Sequence, residues 1–215
     1  MADDGWDPSA VLRTAAKPGV LAYHVIFGAY GFWLPNDPRG SWSDFVASWE
    51  LFLAGGPATK TTTRRSVAHV RHNGAARRQA KLALQFPAVV FDGRQALSIA
   101  HGFARMVEKS RYRIHACSIL PEHVHLVLGR RAYRVEQMVR LLKAEASSRL
   151  AAAGRHPLTP YAQRDGSLPS PWARGCWKVY LNSAGDVRRS VSCVERNPLK
   201  EGKRPQHWSF VTPYT

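Results

Sequence analysis

Residues 112–128 read YRIHACSILPEHVHLVL, and this stretch contains two candidate strands separated by a turn. Its two parts, Tyr112–Leu120 and His123–Leu128, are rich in the β-branched and apolar residues that half-buried strands contain. The segment Leu120-Pro-Glu122 joins them, and its proline favours a turn. The stretch therefore predicts two consecutive strands in the middle of a sheet.

Further regular elements are expected on both sides of this pair. They are a strand at Val20–Tyr30, a helix at Gln95–Lys109, a helix at Val135–Ala153, a strand at Cys176–Leu181, and a helix from about Asp186 to Arg196 that Asn197-Pro198 ends. Their order predicts an α+β fold of the ferredoxin-like βαββαβ type with a central antiparallel sheet. We expect a lead-in at 1–18, one domain at 19–203 with a basic insert at about 41–92, and a tail at 204–215.

The charge of the chain points to a polyanionic partner. The 215 residues include 31 Lys and Arg against 15 Asp and Glu, which gives a formal net charge of +16 and a pI of about 10.5. A basic surface of this size favours nucleic acid. The alternative is that the charge only keeps the protein in solution.

The sequence also indicates a cytoplasmic protein. Three cysteines are too few for a secreted disulfide framework, and an odd number of cysteines does not fit one. The acidic start, Met1–Gly5, is unlike a signal peptide. The uncharged stretch Gly19–Asn36 contains three glycines and Pro35, so a strand and a turn are expected there rather than a membrane span.

His123 and His125 are the residues most suggestive of chemistry. Residues i and i+2 of a strand point to the same face, so both imidazoles should converge while Val124 points the other way. Two neutral imidazoles provide half of a divalent metal site. The alternative is a pair of half-buried histidines that make ordinary hydrogen bonds.

Leu120-Pro-Glu-His-Val-His-Leu-Val-Leu128 resembles the HUH motif (His, hydrophobe, His) of single-strand DNA transposases, and more specifically of the REP-associated tyrosine transposases. The resemblance extends to Tyr23–Phe27 with Tyr30–Leu34, and to Val191–Lys200. It covers roughly residues 21–202. A ferredoxin-like domain whose last helix carries the nucleophile is what this resemblance implies.

The resemblance also implies a site and an activity. His123 and His125 would hold Mg²⁺ or Mn²⁺, and Asn197 would complete the coordination from the last helix. A nucleophile four residues before Asn197 would attack single-stranded DNA beside a hairpin, form a covalent protein–DNA link and later allow the strands to be rejoined. The family acts as a monomer or a homodimer.

The sequence departs from the family pattern at position 193, where it has Cys193 and the family has tyrosine. Cys193 is a candidate nucleophile, since a thiol ionises more readily than a phenol. Tyr180 is a candidate substitute, although core packing is the expected role of an aromatic residue in a strand.

A further alternative is a catalytically silent protein that binds hairpin DNA without cutting it. A third is an RNA-binding or metal-hydrolase module on the same fold.

The candidate DNA-binding residues are basic side chains for phosphates and one ring for a base. They are Arg64, Arg65, Arg71, Arg77, Arg78, Arg130, Arg131, Arg134, Lys143, Trp172, Arg174, Arg188 and Arg189. For Trp172, core packing is the alternative. The aromatic tail at 204–215 is expected to pack on the domain or to touch DNA.

Overall fold

A computed structural model describes residues 19–34, 37, 49–56 and 73–215. The predicted lead-in at 1–18 and much of the predicted insert lie outside these residues. In chain order the described elements are β1 (Ala22–Gly28), α1 (Trp49–Gly55), α2 (Gly74–Leu82), α3 (Gly93–Ser110), β2 (Ile114–Ile119), β3 (His123–Gly129), α4 (Val135–Ala152), a short 3-10 helix (Thr159–Tyr161), β4 (Trp177–Leu181) and α5 (Ala184–Lys200).

The described strands form one sheet in the order β2-β3-β1-β4. Every neighbouring pair is antiparallel. Because β3 lies between β1 and β2, those two strands run in the same direction and α3 connects them across β3. The predicted α+β class with a central antiparallel sheet is confirmed.

The larger core lies between the sheet and helices α3 and α4. Side chains alternate along each strand, so Phe27 and Leu126 point to this face and pack with Phe103 of α3 and Leu142 of α4. All four side chains are fully buried. This face contains most of the buried apolar surface and therefore provides most of the hydrophobic stabilisation.

Helix α5 covers the opposite face of the sheet. Ala22, Val127 and Leu181 of the sheet pack there with Val187 and Val194 of the helix. The domain thus has three layers, and this second apolar cluster is small. Polar side chains on the α5 face of the sheet consequently lie close to the helix.

The predicted end of the last helix was wrong. Helix α5 begins after Ser183, whose hydroxyl accepts a hydrogen bond from the Asp186 N–H, but it continues through Pro198 to Lys200. Proline removes one helical hydrogen bond. Its ring is buried, and its carbonyl accepts from the N–H of Lys203 at 2.9 Å, so the last turn is still held. As a result Asn197 is part of a helix.

The C-terminal tail packs on the free edge of β2. The side-chain amide of Gln206 donates to the Ile119 carbonyl and accepts from the Ile119 N–H, both at 2.8 Å. Further along, the N–H of Thr212 donates to the Ile114 carbonyl. The tail therefore satisfies backbone groups that an edge strand would otherwise expose.

The described part of Gly19–Asn36 contains β1 followed by a turn, as predicted. Gly31 lies in that turn with φ +78°, a conformation that favours glycine. Among the described residues, no helix combines the length and the apolar character needed to cross a bilayer.

Candidate metal centre

Three histidines converge on the α5 face of the sheet. His123 and His125 lie on β3, and their ring centroids are 4.9 Å apart with an interplanar angle of 63°. His24 lies on the neighbouring strand β1, and its Nε2 is 3.4 Å from Nδ1 of His125. Val124 and Leu126 alternate with the motif histidines and belong to the larger core. The strand pleat therefore places both motif rings on one face, as the spacing predicted.

The register of β1 against β3 shapes the floor of this site. Gly28 is opposite His123, and a Cβ added at Gly28 would lie 2.7 Å from Cδ1 of Phe32. The absence of a side chain lets the Phe32 ring stack on His123, with centroids 4.9 Å apart and an angle of 21°. One wall of the site is thus an aromatic ring parallel to the first motif histidine.

Helix α5 lies over this site with its C-terminal turn. Oε1 of Glu201, the C-cap residue, is 3.4 Å from Nε2 of His123. Asn197 lies one turn earlier, and its amide nitrogen is buried without a hydrogen-bond partner among the described residues. The Ser118 hydroxyl, on the strand position opposite His125, is buried and unpartnered within the same ranges. The layer between the sheet and α5 therefore contains polar atoms whose bonding capacity is not used.

Burial keeps two of these rings neutral. Desolvation lowers the pKa of His125 to about 2, with smaller contributions from His123, His24 and Lys200. Desolvation also lowers the pKa of His24 to about 4. Neutral imidazoles retain a lone pair, which is the form that binds metal ions.

The residues in this layer fit a divalent cation. No group of three or more His, Cys, Asp or Glu side chains with metal-binding geometry occurs in the described ranges. Two imidazoles and one amide oxygen are, however, a donor set that divalent first-row ions accept. The buried nitrogen of Asn197 marks a position that its amide oxygen reaches by a half-turn of the amide. The assignment of His123, His125 and Asn197 as metal ligands is compatible with this chemistry and stays a prediction.

The two candidate nucleophiles lie in different places. Cys193 is exposed on α5, one turn before Asn197. Tyr180 points to the opposite face of the sheet, where its ring packs edge-on against Tyr23 at 5.7 Å between centroids. The sheet separates Tyr180 from the histidines, so it does not reach them as a substitute nucleophile.

Most of the predicted phosphate contacts lie at the surface. The exposed ones are Arg78, Arg130, Arg131, Arg134, Arg174, Arg188 and Arg189. Arg77 is instead half-buried and forms an ion pair with the buried Asp37 at 3.4 Å. Arg64, Arg65 and Arg71 lie outside the described residues.

Trp172 is buried and Lys143 is half-buried, and both side chains make contacts within the protein. Trp172 is buried, packs against Phe27 and Phe91, and donates from Nε1 to the Lys143 carbonyl and to Ser147. The Lys143 amine donates to two backbone carbonyls of the segment 173–175. Both side chains hold the segment before β4 against α4.

A groove of about 1520 Å³ lies on the α4 side of the sheet, away from the histidines. It runs between α4 and the segment 168–176, and Arg140 and Arg174 are among the residues that line it. The groove and the histidine cluster are thus separate features of the two faces.

Three contacts of the site were missed by sequence reasoning: those of His24, Glu201 and Phe32. An imidazole in an otherwise apolar strand is a usable signal for His24. For Glu201 the signal is its i, i+4 spacing from Asn197, which places both residues on one helix face. This signal is usable only if the helix is expected to continue past Pro198. The stacking of Phe32 on His123 has no signal in the sequence.

Two solved structures are similar to the structure of this chain. A REP-associated tyrosine transposase bound to a REP hairpin has a TM-score of 0.45 at 15% sequence identity, over 88% of this chain and 72% of that chain. A candidate transposase from Deinococcus radiodurans R1 has a TM-score of 0.37 at 13% identity, over 87% of this chain and 93% of that chain. No protein-family model and no curated protein matches the sequence. What the chain does is therefore inferred from its own residues.

Proposed function

We propose that this protein binds single-stranded or hairpin DNA on the α5 side of its sheet, against a divalent cation (Mg²⁺ or Mn²⁺) held by His123, His125 and Asn197. The supporting observation is the pair of motif imidazoles, 4.9 Å apart between centroids, under the C-terminal turn of α5. The resemblance of residues 120–128 to the HUH motif and the net charge of +16 support the same proposal.

Each residue has a distinct part in this proposal. When bound, the cation would offset the charge of a phosphodiester and polarise one of its oxygens. His123 and His125 would bind it through imidazole nitrogens, and Asn197 would bind it through its amide oxygen. Arg188 and Arg189 are exposed near the start of α5 and would contact flanking phosphates.

Strand cleavage is a second candidate function, and the exposure of Cys193 favours it. The Cys193 thiol would lose its proton to solvent, and the thiolate would attack phosphorus in line. A sulfur–phosphorus bond would form as the bond from phosphorus to O3′ breaks, and the departing oxygen would take a proton from water. The 3′-hydroxyl could later reverse the step and rejoin the strands without an external energy source.

The test uses a pool of DNA hairpins with randomised single-stranded 5′ extensions, in Mn²⁺ and in EDTA. We expect the wild-type chain and Cys193→Ala to bind the same hairpins. We expect Cys193→Tyr to form a covalent adduct that resists denaturation by detergent, because tyrosine restores the nucleophile of the family. His125→Ala in the Cys193→Tyr background serves as the control and should form no adduct.

Several results would contradict the proposal. Equal binding of duplex DNA and hairpins would remove the single-strand preference. Tighter binding of RNA hairpins of the same sequence, or hydrolysis without an adduct, would favour the RNA-binding or hydrolase alternative.

An adduct of the wild-type chain that Cys193→Ala abolishes would establish the second candidate function.

A further inference from the structure

His24 and His125 are joined by a direct contact between ring nitrogens. Nε2 of His24 is 3.4 Å from Nδ1 of His125, and the ring centroids are 5.7 Å apart. The antiparallel register places Ile26 opposite His125, so His24 is its diagonal neighbour on the same face. The contact is therefore built into the pairing of the two central strands.

A hydrogen bond between two imidazole nitrogens has two possible directions. One nitrogen must carry the hydrogen and the other must supply a lone pair. If His24 donates, His125 carries its own hydrogen on Nε2 and has no lone pair there. If His125 donates from Nδ1, its Nε2 retains a lone pair on the far side of the ring from His24.

We infer that His24 is a positioning residue whose Nε2 accepts the Nδ1–H of His125 and thereby keeps Nε2 of His125 as the nitrogen that faces a cation. This direction rests on the proposed function, because only a metal-binding His125 needs that tautomer. Histidine ligands generally donate their second N–H to a neighbouring group, which orients the ring. Here an imidazole takes the place of the usual carboxylate or carbonyl.

The surroundings of His24 suit a supporting role rather than that of a third ligand. Its ring is in edge contact with Trp177 of β4, with centroids 5.4 Å apart and an angle of 83°. Among the described residues no set of three or more His, Cys, Asp or Glu side chains has metal-binding geometry. His24 is thus held on one side by an indole and is in contact with His125 on the other.

The first test is nitrogen NMR of the metal-free protein labelled with ¹⁵N-histidine, with His125 assigned from a His125→Gln variant. We expect wild-type His125 to carry its hydrogen on Nδ1. His24→Gln offers an amide oxygen as acceptor and should preserve that tautomer. His24→Phe keeps a ring beside Trp177 without an acceptor and should shift His125 toward Nε2–H.

The second test is Mn²⁺ affinity, measured by titration with the metal alone. Loss of a group that orients a metal ligand generally costs about 10–100-fold in affinity, and we expect that loss for His24→Phe. His24→Gln should remain close to wild type. His101→Phe, an exposed position of α3 on the other side of the sheet, is the matched control and should change neither measurement.

The outcomes separate this inference from the proposed function. Wild-type His125 with hydrogen on Nε2 overturns the inference, even if Mn²⁺ binds. Unchanged tautomer and Mn²⁺ affinity in His24→Phe also overturn it. If the wild type binds no Mn²⁺, the metal site fails, while an Nδ1–H tautomer that His24→Phe alone removes still supports the role of His24. Should His24→Phe not fold, the wild-type and His24→Gln tautomers decide.

Discussion

At the scale of single residues, Lys143 shows how far tertiary contacts change the role of a side chain. Its amine lies 2.8 Å from the Ala173 carbonyl and 2.6 Å from the Gly175 carbonyl, and 5.0 Å from the centroid of the Phe27 ring. Burial lowers the pKa of Lys143 from 10.5 to about 8, and the nearby Cys176 opposes this shift. A lysine expected to contact phosphate thus acts as a support of the segment before β4.

We predict a pH dependence of stability that comes from Lys143. Between its folded pKa of about 8 and its usual value of 10.5, the unfolded chain binds a proton that the folded chain has released. The free energy of unfolding contributed by this group therefore rises with pH in that window. Urea unfolding of wild type and Lys143→Met at several pH values measures the contribution, and ¹³C NMR of labelled lysine gives the pKa directly.

Lys81→Met, at an exposed position of α2, serves as the control for this prediction. The prediction is wrong if Lys143→Met and wild type show the same change of stability from about pH 8 to about pH 10.

At the scale of elements, Gly102 lies where α3 approaches the backbone of α4 most closely among the described glycines. A Cβ added at Gly102 would lie 2.6 Å from Cα and 2.8 Å from the backbone nitrogen of Ala146. A backbone atom cannot move aside as the end of a long side chain can. The missing side chain is therefore what allows the two helices to pack this closely.

We predict that Gly102→Ala destabilises the fold by about 1–3 kcal/mol, the usual range for forcing a methyl group into a packed interior. Gly93→Ala is the matched control, because a Cβ at Gly93 meets nothing within 4 Å. Alanine is also the better helix former there, so the control should be neutral or slightly stabilising. Chemical denaturation of both variants provides the comparison, and equal stabilities would contradict the prediction.

The tail and the edge of β2 form the second element-scale contact. Gln206→Ala leaves the N–H and the carbonyl of Ile119, a residue only 2% exposed, without their partner. We expect a loss of about 1–3 kcal/mol for these unsatisfied groups. Urea unfolding measures it, together with amide exchange at Ile119, which should accelerate.

His207→Ala is the control for the tail, since this neighbouring residue is exposed. If Gln206→Ala and His207→Ala have the same stability and the same exchange rate at Ile119, the bonds of Gln206 contribute nothing to the edge.

At the scale of the whole molecule, the proposed DNA binding on the α5 face depends on which basic side chains lie on that side of the sheet. Arg188 is exposed near the start of α5, the helix whose C-terminal turn lies over the proposed site. Arg105 lies on α3, behind the sheet, where it pairs with Glu145 at 3.2 Å. A strand bound on the α5 face would therefore meet Arg188 and not Arg105.

We predict a steep fall of DNA affinity with salt, because each phosphate contact releases counterions. Arg188→Gln should reduce the slope of log K against log salt by about 0.7, the value per contact for single strands. Arg105→Gln should leave the slope unchanged. Fluorescence anisotropy at several salt concentrations measures both, and the opposite pattern would place the DNA on the α3 side.

The sequence by itself predicted the elements of the sheet and its two covering helices to within about two residues at most ends. Apolar spacing is a local property, so β3 and α4 begin at the residues expected from it. The shared face of His123 and His125 followed from the strand pleat alone. The helix end at Asn197 was predicted wrongly, because the buried contact of Pro198 is not visible in the chain.

Only the tertiary structure decided what surrounds the motif histidines. The contact of His24 with His125 joins residues 101 positions apart, and the register between their strands sets it. The passage of α5 beyond Pro198 brings Glu201 to His123, and packing against α4 buries Trp172. The hydrophobic period of a helix and the pleat of a strand depend on neighbouring residues. The register between strands and the burial of side chains depend instead on contacts between distant segments, which no local pattern encodes.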